Sequence, residues 1–264
     1  MTRAMEMISV VKLRPAQEKL TGISNYFIKI QGLLSNFLAQ AGELEHSFLK
    51  NTEGSGKIVI CLLTSDTGLC GSYNQNILRA VDSFISHHRG KNIRIVAIGK
   101  KGSAYYKKQG LEILNVYSGS RGRYNRVFAD QVSDDLIKMF VSGDAGAVYI
   151  AYTRFDSPSR LSPVIEKFLN IEISVKEIVS YGVEPDLKAA AEGLIMSYLV
   201  NKMRYAVLNA FVSEHSSRGM AMGEATDNAK EILQKLILLK NKIRQANITR
   251  EIIEVISTSN ALKG

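Results

Sequence analysis

The sequence predicts an α/β protein in which a long antiparallel two-helix coiled coil, formed by the two termini, carries a small Rossmann-like domain with a mainly parallel sheet. Three observations predict it. An apolar repeat of period 3.5 runs through the N-terminal part of the chain. A stretch free of proline, with sparse glycine, runs from Asp186 to about Leu262. Between them, short β-branched runs alternate with helical stretches, as parallel strands joined by crossover helices do. The divisions read this way are 1–52 for the N-terminal coiled-coil helix, 53–183 for the α/β domain and 184–264 for the C-terminal helix that pairs with 1–52.

The N-terminal helix is read from Leu13, Ala16, Leu20, Ile23, Phe27, Ile30, Leu34, Phe37, Ala41, Leu44 and Phe48, spaced alternately three and four apart. That spacing asks for an under-wound helix with a continuous seam. These 36 residues span roughly 50 Å at about 1.5 Å each. Upstream the seam meets Ser9 and Glu6, which are not apolar. Pro15 removes an amide and crowds the carbonyl of Val11. Residues 1–12 are therefore expected to kink away or to form a separate first piece.

In the middle, "KIVICLL" (57–63), "IRIVAIG" (93–99) and "AVYIAYT" (147–153) read as strands. Helical stretches follow at Asn74–Ser86, Gly102–Gln109 and Asn125–Phe140. "PVIEKFLNIEI" (163–173) either adds a strand or leads back to the long helix.

Pro185 stands where a helix entry favours it. Ile195, Leu199, Ala206 and Ala210 mark one stripe of the C-terminal helix. Ile232, Leu236, Leu239, Ile243 and Ala246 mark another. Residues 213–229 between them are small and polar, which suits a shaft that slides past changing neighbours. A helix this long cannot be wrapped by its own core. Its partner is most simply the N-terminal helix, antiparallel to it, and the remainder must project toward an external partner.

Composition narrows the function. The chain has 264 residues, 45% of them apolar, and a formal net charge of +9. The charge points to an acidic partner without separating nucleic acid, lipid headgroups and acidic protein. No apolar run approaches the roughly 20 residues that cross a bilayer, and the first residues lack a signal cleavage site. Membrane association is thus expected to be indirect or peripheral. Two cysteines, Cys61 and Cys70, make no disulfide framework and favour a reducing compartment.

The strand at 57–63 runs into "TSDTGLCGSYN" (64–74), a place where many α/β proteins cradle phosphate. The motif fails as a nucleotide site. Gly68 and Gly71 do not make G-x-G-x-x-G, and "GKKG" (99–102) lacks the Ser or Thr of a P-loop. His46, His87, His88 and His215 have no ligand spacing. Cys61 reads as a core residue and Cys70 as an exposed loop residue without a local base. No catalytic, cofactor-binding or metal residue is nominated. Two other readings stand beside a mechanical one: a phosphate-binding α/β enzyme with coiled-coil extensions, and a basic adaptor for nucleic acid. Heptads and the scarcity of stacking aromatics on the basic segments oppose the last.

Several motifs together resemble the gamma subunit of F-type ATP synthase. They are "AMEMISVVKLRPAQ" (4–17), "SDTGLCGSYN" (65–74), "IGKKG" (98–102), "YTRF" (152–155), "EPD" (184–186), "EATDNAKE" (224–231) and "RQANITREIIEVI" (244–256), in the family's order. The resemblance covers essentially the whole chain. It implies a non-catalytic rotor shaft inside a ring of alternating alpha and beta subunits, with ATP made on beta. It implies a foot on the c-subunit ring, gripped by the epsilon subunit and turned by proton or sodium flow. It implies no cofactor, no nucleic acid, and a peripheral position on the cytoplasmic face of a bacterial inner membrane. Carried over by position, Cys70 and its loop would face the acidic lever of beta, with Met5 near the same lever. Arg218, Arg244, Gln245 and Thr249 would touch the head, and Tyr181 and Glu184 the c ring. The chain departs from the family pattern at Pro15, Gly219, Gly223, Lys240, Thr258 and Ser259, and it begins later than is usual. The two glycines are expected to soften the shaft.

Overall fold

The computed structural model describes residues 1–41, 47–49, 56–119, 124–171 and 187–262. Tyr181, Glu184, Leu44 and the divisions at 52/53 and 183/184 lie outside the described residues.

A single helix, α1, spans Thr2–Ala41, with Pro15 inside it. The expected break is absent. Pro15 and Val11 both face solvent while Ala16 is buried. The carbonyl that Pro15 leaves without a helical donor thus faces water, and the packed side of the helix is untouched.

The central domain follows as β1 (Lys57–Leu63), α2 (Tyr73–His87), β2 (Asn92–Ile98), α3 (Lys100–Lys108), β3 (Ile113–Tyr117), α4 (Arg126–Val141), β4 (Ala147–Ser157) and β5 (Arg160–Leu169). The strand order is β3-β2-β1-β4-β5. The first four strands are parallel, and β5 returns antiparallel beside β4. The segment at 163–173 is therefore a strand as far as Leu169. β3, "ILNVY", was not read from the sequence. It is a short edge strand with half-buried residues, and Asn115 interrupts its apolar pattern.

Both faces of the sheet are covered, so alternate residues of one strand enter different cores. Val59, Cys61 and Leu63 pack with residues of α1, α4 and the last helix. Ile58, Ile60 and Leu62 pack with α2 and α3.

The last helix, α5, runs over Leu187–Ala261, 75 residues and roughly 110 Å. Its first part pairs with α1, antiparallel. Phe27 stacks on Tyr198 and Tyr205 with ring centroids 5.6 and 5.1 Å apart. Ala16 and Leu20 cluster with Leu208 and Val212. Ser9 lies against Gly219 and Glu6 against Gly223. Thr226 donates to Thr2 at 2.9 Å. Each step up one helix is matched by a step down the other. The seam therefore reaches the first residues, with polar and small side chains replacing apolar ones.

Candidate functional site: the loop on the shaft and the bare helix

The loop after β1 folds back on itself and onto α5. The Asn74 amide donates to Ser65 Oγ at 2.7 Å and to Cys70 Sγ at 3.2 Å. The Ser65 amide donates to Asn74 Oδ1 at 3.0 Å. Ser217 donates its hydroxyl to the Cys70 carbonyl at 2.7 Å, and Tyr73 donates to the Ala210 carbonyl at 3.0 Å. Cys70 is only 2% exposed. The expectation of an exposed Cys70 is corrected, because Asn74, Ser65 and α5 enclose the thiol. Cys61 is a core residue as read; burial pushes its thiol up to about 12.

At the strand ends the chain's own acceptors take the amides that could otherwise meet an anion. The amides of Lys100, Lys101 and Gly102 open α3 and point at the loop, as phosphate-binding amides do. Lys100 donates to Asp66 Oδ1 at 3.2 Å, Lys101 to the Ser65 carbonyl at 3.1 Å, and Gly102 to Thr64 Oγ1 at 2.9 Å. The Gly119 amide donates to the other Asp66 oxygen at 3.0 Å. The chain's own carboxylate takes the place of an anion. Gly99 and Gly102 are required for this close approach. A Cβ on Gly99 would lie 2.1 Å from the Thr64 carbonyl oxygen, and one on Gly102 2.8 Å from Leu62.

Arg218 fastens the loop to the shaft. It pairs with Glu214 at 2.7 Å, both side chains being 11% exposed. It also donates to the Gly68 carbonyl at 3.4 Å and Thr67 Oγ1 at 3.2 Å. Burial raises the Glu214 carboxyl above its ordinary value, against the opposing pull of Arg218. Ser213, Glu214, His215, Ser216 and Ser217 are all buried. Ser213 donates to the Thr153 carbonyl at 3.0 Å and Ser216 to the Pro158 carbonyl at 3.2 Å. In this part of the patch the hydroxyls hold the α/β domain onto the shaft, so it offers no sliding surface. The bidentate pair Arg204–Asp130, at 2.5 and 2.7 Å, does the same from α4.

A cavity of about 600 Å³ opens where loop, α1 and α5 meet; Met5, Ile8, Leu69, Lys100 and Arg218 are among its lining. Leu69 is the residue the sequence reading missed. It is 59% exposed and holds φ 61°, a left-handed backbone that a leucine rarely takes. Its place between Gly68 and Gly71 was the available signal. The structure brings Met5, the Cys70 loop and Arg218 together. Arg244, Gln245 and Thr249 lie far along α5 and are all exposed.

From Asp227 to Ala261 every residue of α5 is exposed. Ile232, Leu236, Leu239, Ile243, Ile252 and Ile256 are each more than half open to solvent. A surface helix of a globular protein buries one face, and this segment buries none.

A family model described as ATP synthase matches residues 1–262. The ATP synthase gamma chain of Heliobacterium modesticaldum is 34% identical over 273 aligned positions, covering 99% of this chain and 93% of that protein. The gamma chain of Clostridium perfringens strain 13 is 35% identical, covering 99% and 92%. The chain belongs to the ATP synthase gamma chain family.

Two solved structures share the fold of this gamma-family chain. The central stalk and c-ring structure of the Tetrahymena thermophila mitochondrial ATP synthase contains a chain that matches with TM-score 0.61 at 20% identity, covering 85% of this chain and 99% of that one. A chain of the Euglena gracilis mitochondrial enzyme matches with TM-score 0.60 at 17% identity, covering 95% and 94%. These matches bear on the fold alone, two long terminal helices with a mostly parallel sheet domain beside them. No helix among the described residues is long and apolar enough to cross a membrane.

Proposed function

We propose that the chain is the central-stalk subunit of a rotary ATP synthase, the shaft that couples ion-driven rotation of the membrane ring to ATP synthesis on beta subunits. The observation that carries this reading is the bare α5. Residues 227–261 are helical yet wholly exposed, in a chain that belongs to the gamma family. In proteins most helical stability comes from tertiary packing of an amphipathic face rather than from intrinsic propensity. The missing packing is supplied by a surrounding alpha–beta head.

In this reading the chain carries no catalytic group. The helix-opening amides where a phosphate would sit are spent on Thr64, Ser65 and Asp66, which counts against the phosphate-binding alternative. Met5, Ile8 and Leu69 offer an apolar contact at the loop–shaft junction, with Lys100 and Arg218 beside it for the acidic lever of beta. Arg244, Gln245 and Thr249 meet the head farther along α5. The opposite end, with Tyr181 and Glu184, rests on the c ring beside the epsilon subunit. The chain then lies at the membrane through its complex, on the cytoplasmic face in a bacterium such as those of its relatives.

Co-expression with alpha and beta subunits of the same organism tests the assignment. A complex containing a single copy of the chain and hydrolysing ATP supports it. Assembly of alpha and beta that leaves the chain behind overturns it.

A further inference from the structure

A second cavity, of about 380 Å³, lies where α1, the β4–β5 pair and α5 meet. It shares no lining residue with the cavity beside Leu69. Its volume suits a small ligand. Phe27, Ile28 and Tyr205 give it apolar surface, and Lys202 and Glu166 stand among its polar groups. Lys202 is the unusual member. Its Nζ donates to the Lys167 carbonyl at 2.6 Å and to the Tyr198 hydroxyl at 3.3 Å, and lies 5.5 Å from the centre of the Tyr198 ring. An ammonium has three hydrogens, and these contacts use two. Among the described residues no carboxylate stands within ion-pair distance of Lys202. Charges taken out of water are ordinarily paired. Burial accordingly holds the Lys202 amine below the usual lysine value, and the attraction of Glu166 only partly opposes this. The other charges are better met. Arg154, also in the lining, pairs with Asp156 at 2.8 Å, and Glu166 accepts the Tyr152 hydroxyl at 3.2 Å.

We propose that this cavity binds a small organic monocarboxylate, with its carboxylate on Lys202 and its carbon skeleton on Phe27, Ile28 and Tyr205. The ligand supplies the counter-charge that the chain itself does not place beside Lys202, through a charge-assisted hydrogen bond. A single negative charge fits best, because Glu166 lines the same space and repels a second. The skeleton covers Ile28, which is 64% exposed. Since α1, the sheet and α5 all contribute to the lining, the occupant ties together the three parts that meet at the paired base of the shaft. Binding of this kind stabilises the folded chain as a whole.

The test uses the whole chain and benzoate as the probe, with chloride holding the ionic strength constant. Benzoate should raise the melting temperature and saturate, while benzamide, the same ring without the charge, should leave it unchanged. Lys202→Met keeps the reach of the side chain and removes its charge. It should weaken benzoate about tenfold or more, the worth of one hydrogen bond to a charged group. Glu166→Gln should tighten binding by removing a like charge. Ile28→Glu changes an exposed position and should weaken binding by repulsion, so the outcome stays readable even if Lys202→Met does not fold. Undiminished benzoate protection in Lys202→Met or in Ile28→Glu, or equal protection by benzamide, overturns the proposal. Stronger protection by inorganic phosphate, lost in Lys202→Met, overturns the assignment to a monocarboxylate. None of these results bears on the shaft assignment, which is read from assembly with alpha and beta.

Discussion

Thr226 donates its hydroxyl to Thr2 across the α1–α5 seam at 2.9 Å, and this is the outermost contact described between the two helices. Inward from it the pair passes Glu6 against Gly223 and Ser9 against Gly219 before the apolar clusters begin. Outward from it α5 runs unaccompanied. The seam thus divides into a bonded apolar base, a loosely packed neck of small residues and a bare shaft.

Gly219 and Gly223 are the weak points of the neck. Neither needs to be glycine for space. An added Cβ would come no closer than 3.9 Å to Ser9 or 3.7 Å to Glu6, ordinary contact distances. Gly219→Ala and Gly223→Ala should therefore each stabilise the chain by about 1 kcal/mol, the usual gain of alanine over glycine inside a helix. Urea unfolding of the variants measures this. A loss of stability would show that the glycines serve close packing after all.

The Glu214–Arg218 pair should behave as a buried ion pair whose partners depend on each other. Arg218→Ala leaves a desolvated carboxylate and should cost about 3–5 kcal/mol, whereas adding Glu214→Gln to it should recover much of that loss. The pH dependence has a definite sign. Burial raises the folded-state value of Glu214, so its contribution to stability is fully present below the unfolded value and is lost as pH rises through the folded one. Removing Arg218 deepens that loss. The variant should thus recover stability on mild acidification relative to the native chain. It should also release the 67–70 loop, read as faster labelling of Cys70 by a thiol reagent. Unchanged labelling would mean that Ser217 and Asn74 hold the loop without Arg218.

Asp66 fills the anion position at the start of α3, and its removal should empty it. In Asp66→Ala the amides of Lys100 and Gly119 lose their acceptor. Sulfate should then raise the melting temperature of the variant more than that of the native chain, because a ligand that binds only the folded state stabilises it. The native chain supplies the control for the general salting-out effect of sulfate. ATP should shift neither the native chain nor Gly99→Ala, and the latter should be destabilised simply because its Cβ would collide with the Thr64 carbonyl.

Where regular patterns reached the sequence, the fold was legible. The seam from Leu13 to Phe37 follows from periodicity, strands β1, β2 and β4 from short β-branched runs, and the long C-terminal helix from a stretch without proline and with sparse glycine. Pro15 misled because a proline's cost depends on which side of the helix loses its donor, and that side is set by packing against α5. β3 escaped because an edge strand needs only a weak apolar pattern. The candidate site was legible only in outline. The loop stands out by its glycines, but the direction in which Cys70 points depends on Asn74 and on Ser217, which lies 147 positions away. The hydroxyls of 213–217 read as a featureless polar patch because their acceptors, in β4 and in two loops, are remote in sequence.

Leu69 pairs an unfavourable backbone with an exposed apolar side chain, and neither feature helps the isolated fold. A leucine at φ 61° is strained by roughly 1–3 kcal/mol, and its 59% exposure recovers little of that through burial. The surrounding bonds hold it there: Ser65 Oγ to the Thr67 carbonyl at 2.7 Å on one side and Ser217 to the Cys70 carbonyl at 2.7 Å on the other. Strain kept at an exposed loop tip beside Met5 and Ile8 fits a contact made only in the assembled enzyme. Leu69→Gly should therefore leave the isolated chain as stable as before, or more stable by about 1 kcal/mol, because glycine accepts this backbone freely. In a complex with alpha and beta the same change should lower ATP turnover without lowering the amount of complex recovered. Leu69→Met, which keeps an apolar side chain, should restore turnover. If Leu69→Gly turns over ATP at the native rate, the strained residue is not a head contact, and Met5 and Ile8 alone carry the apolar part of that surface.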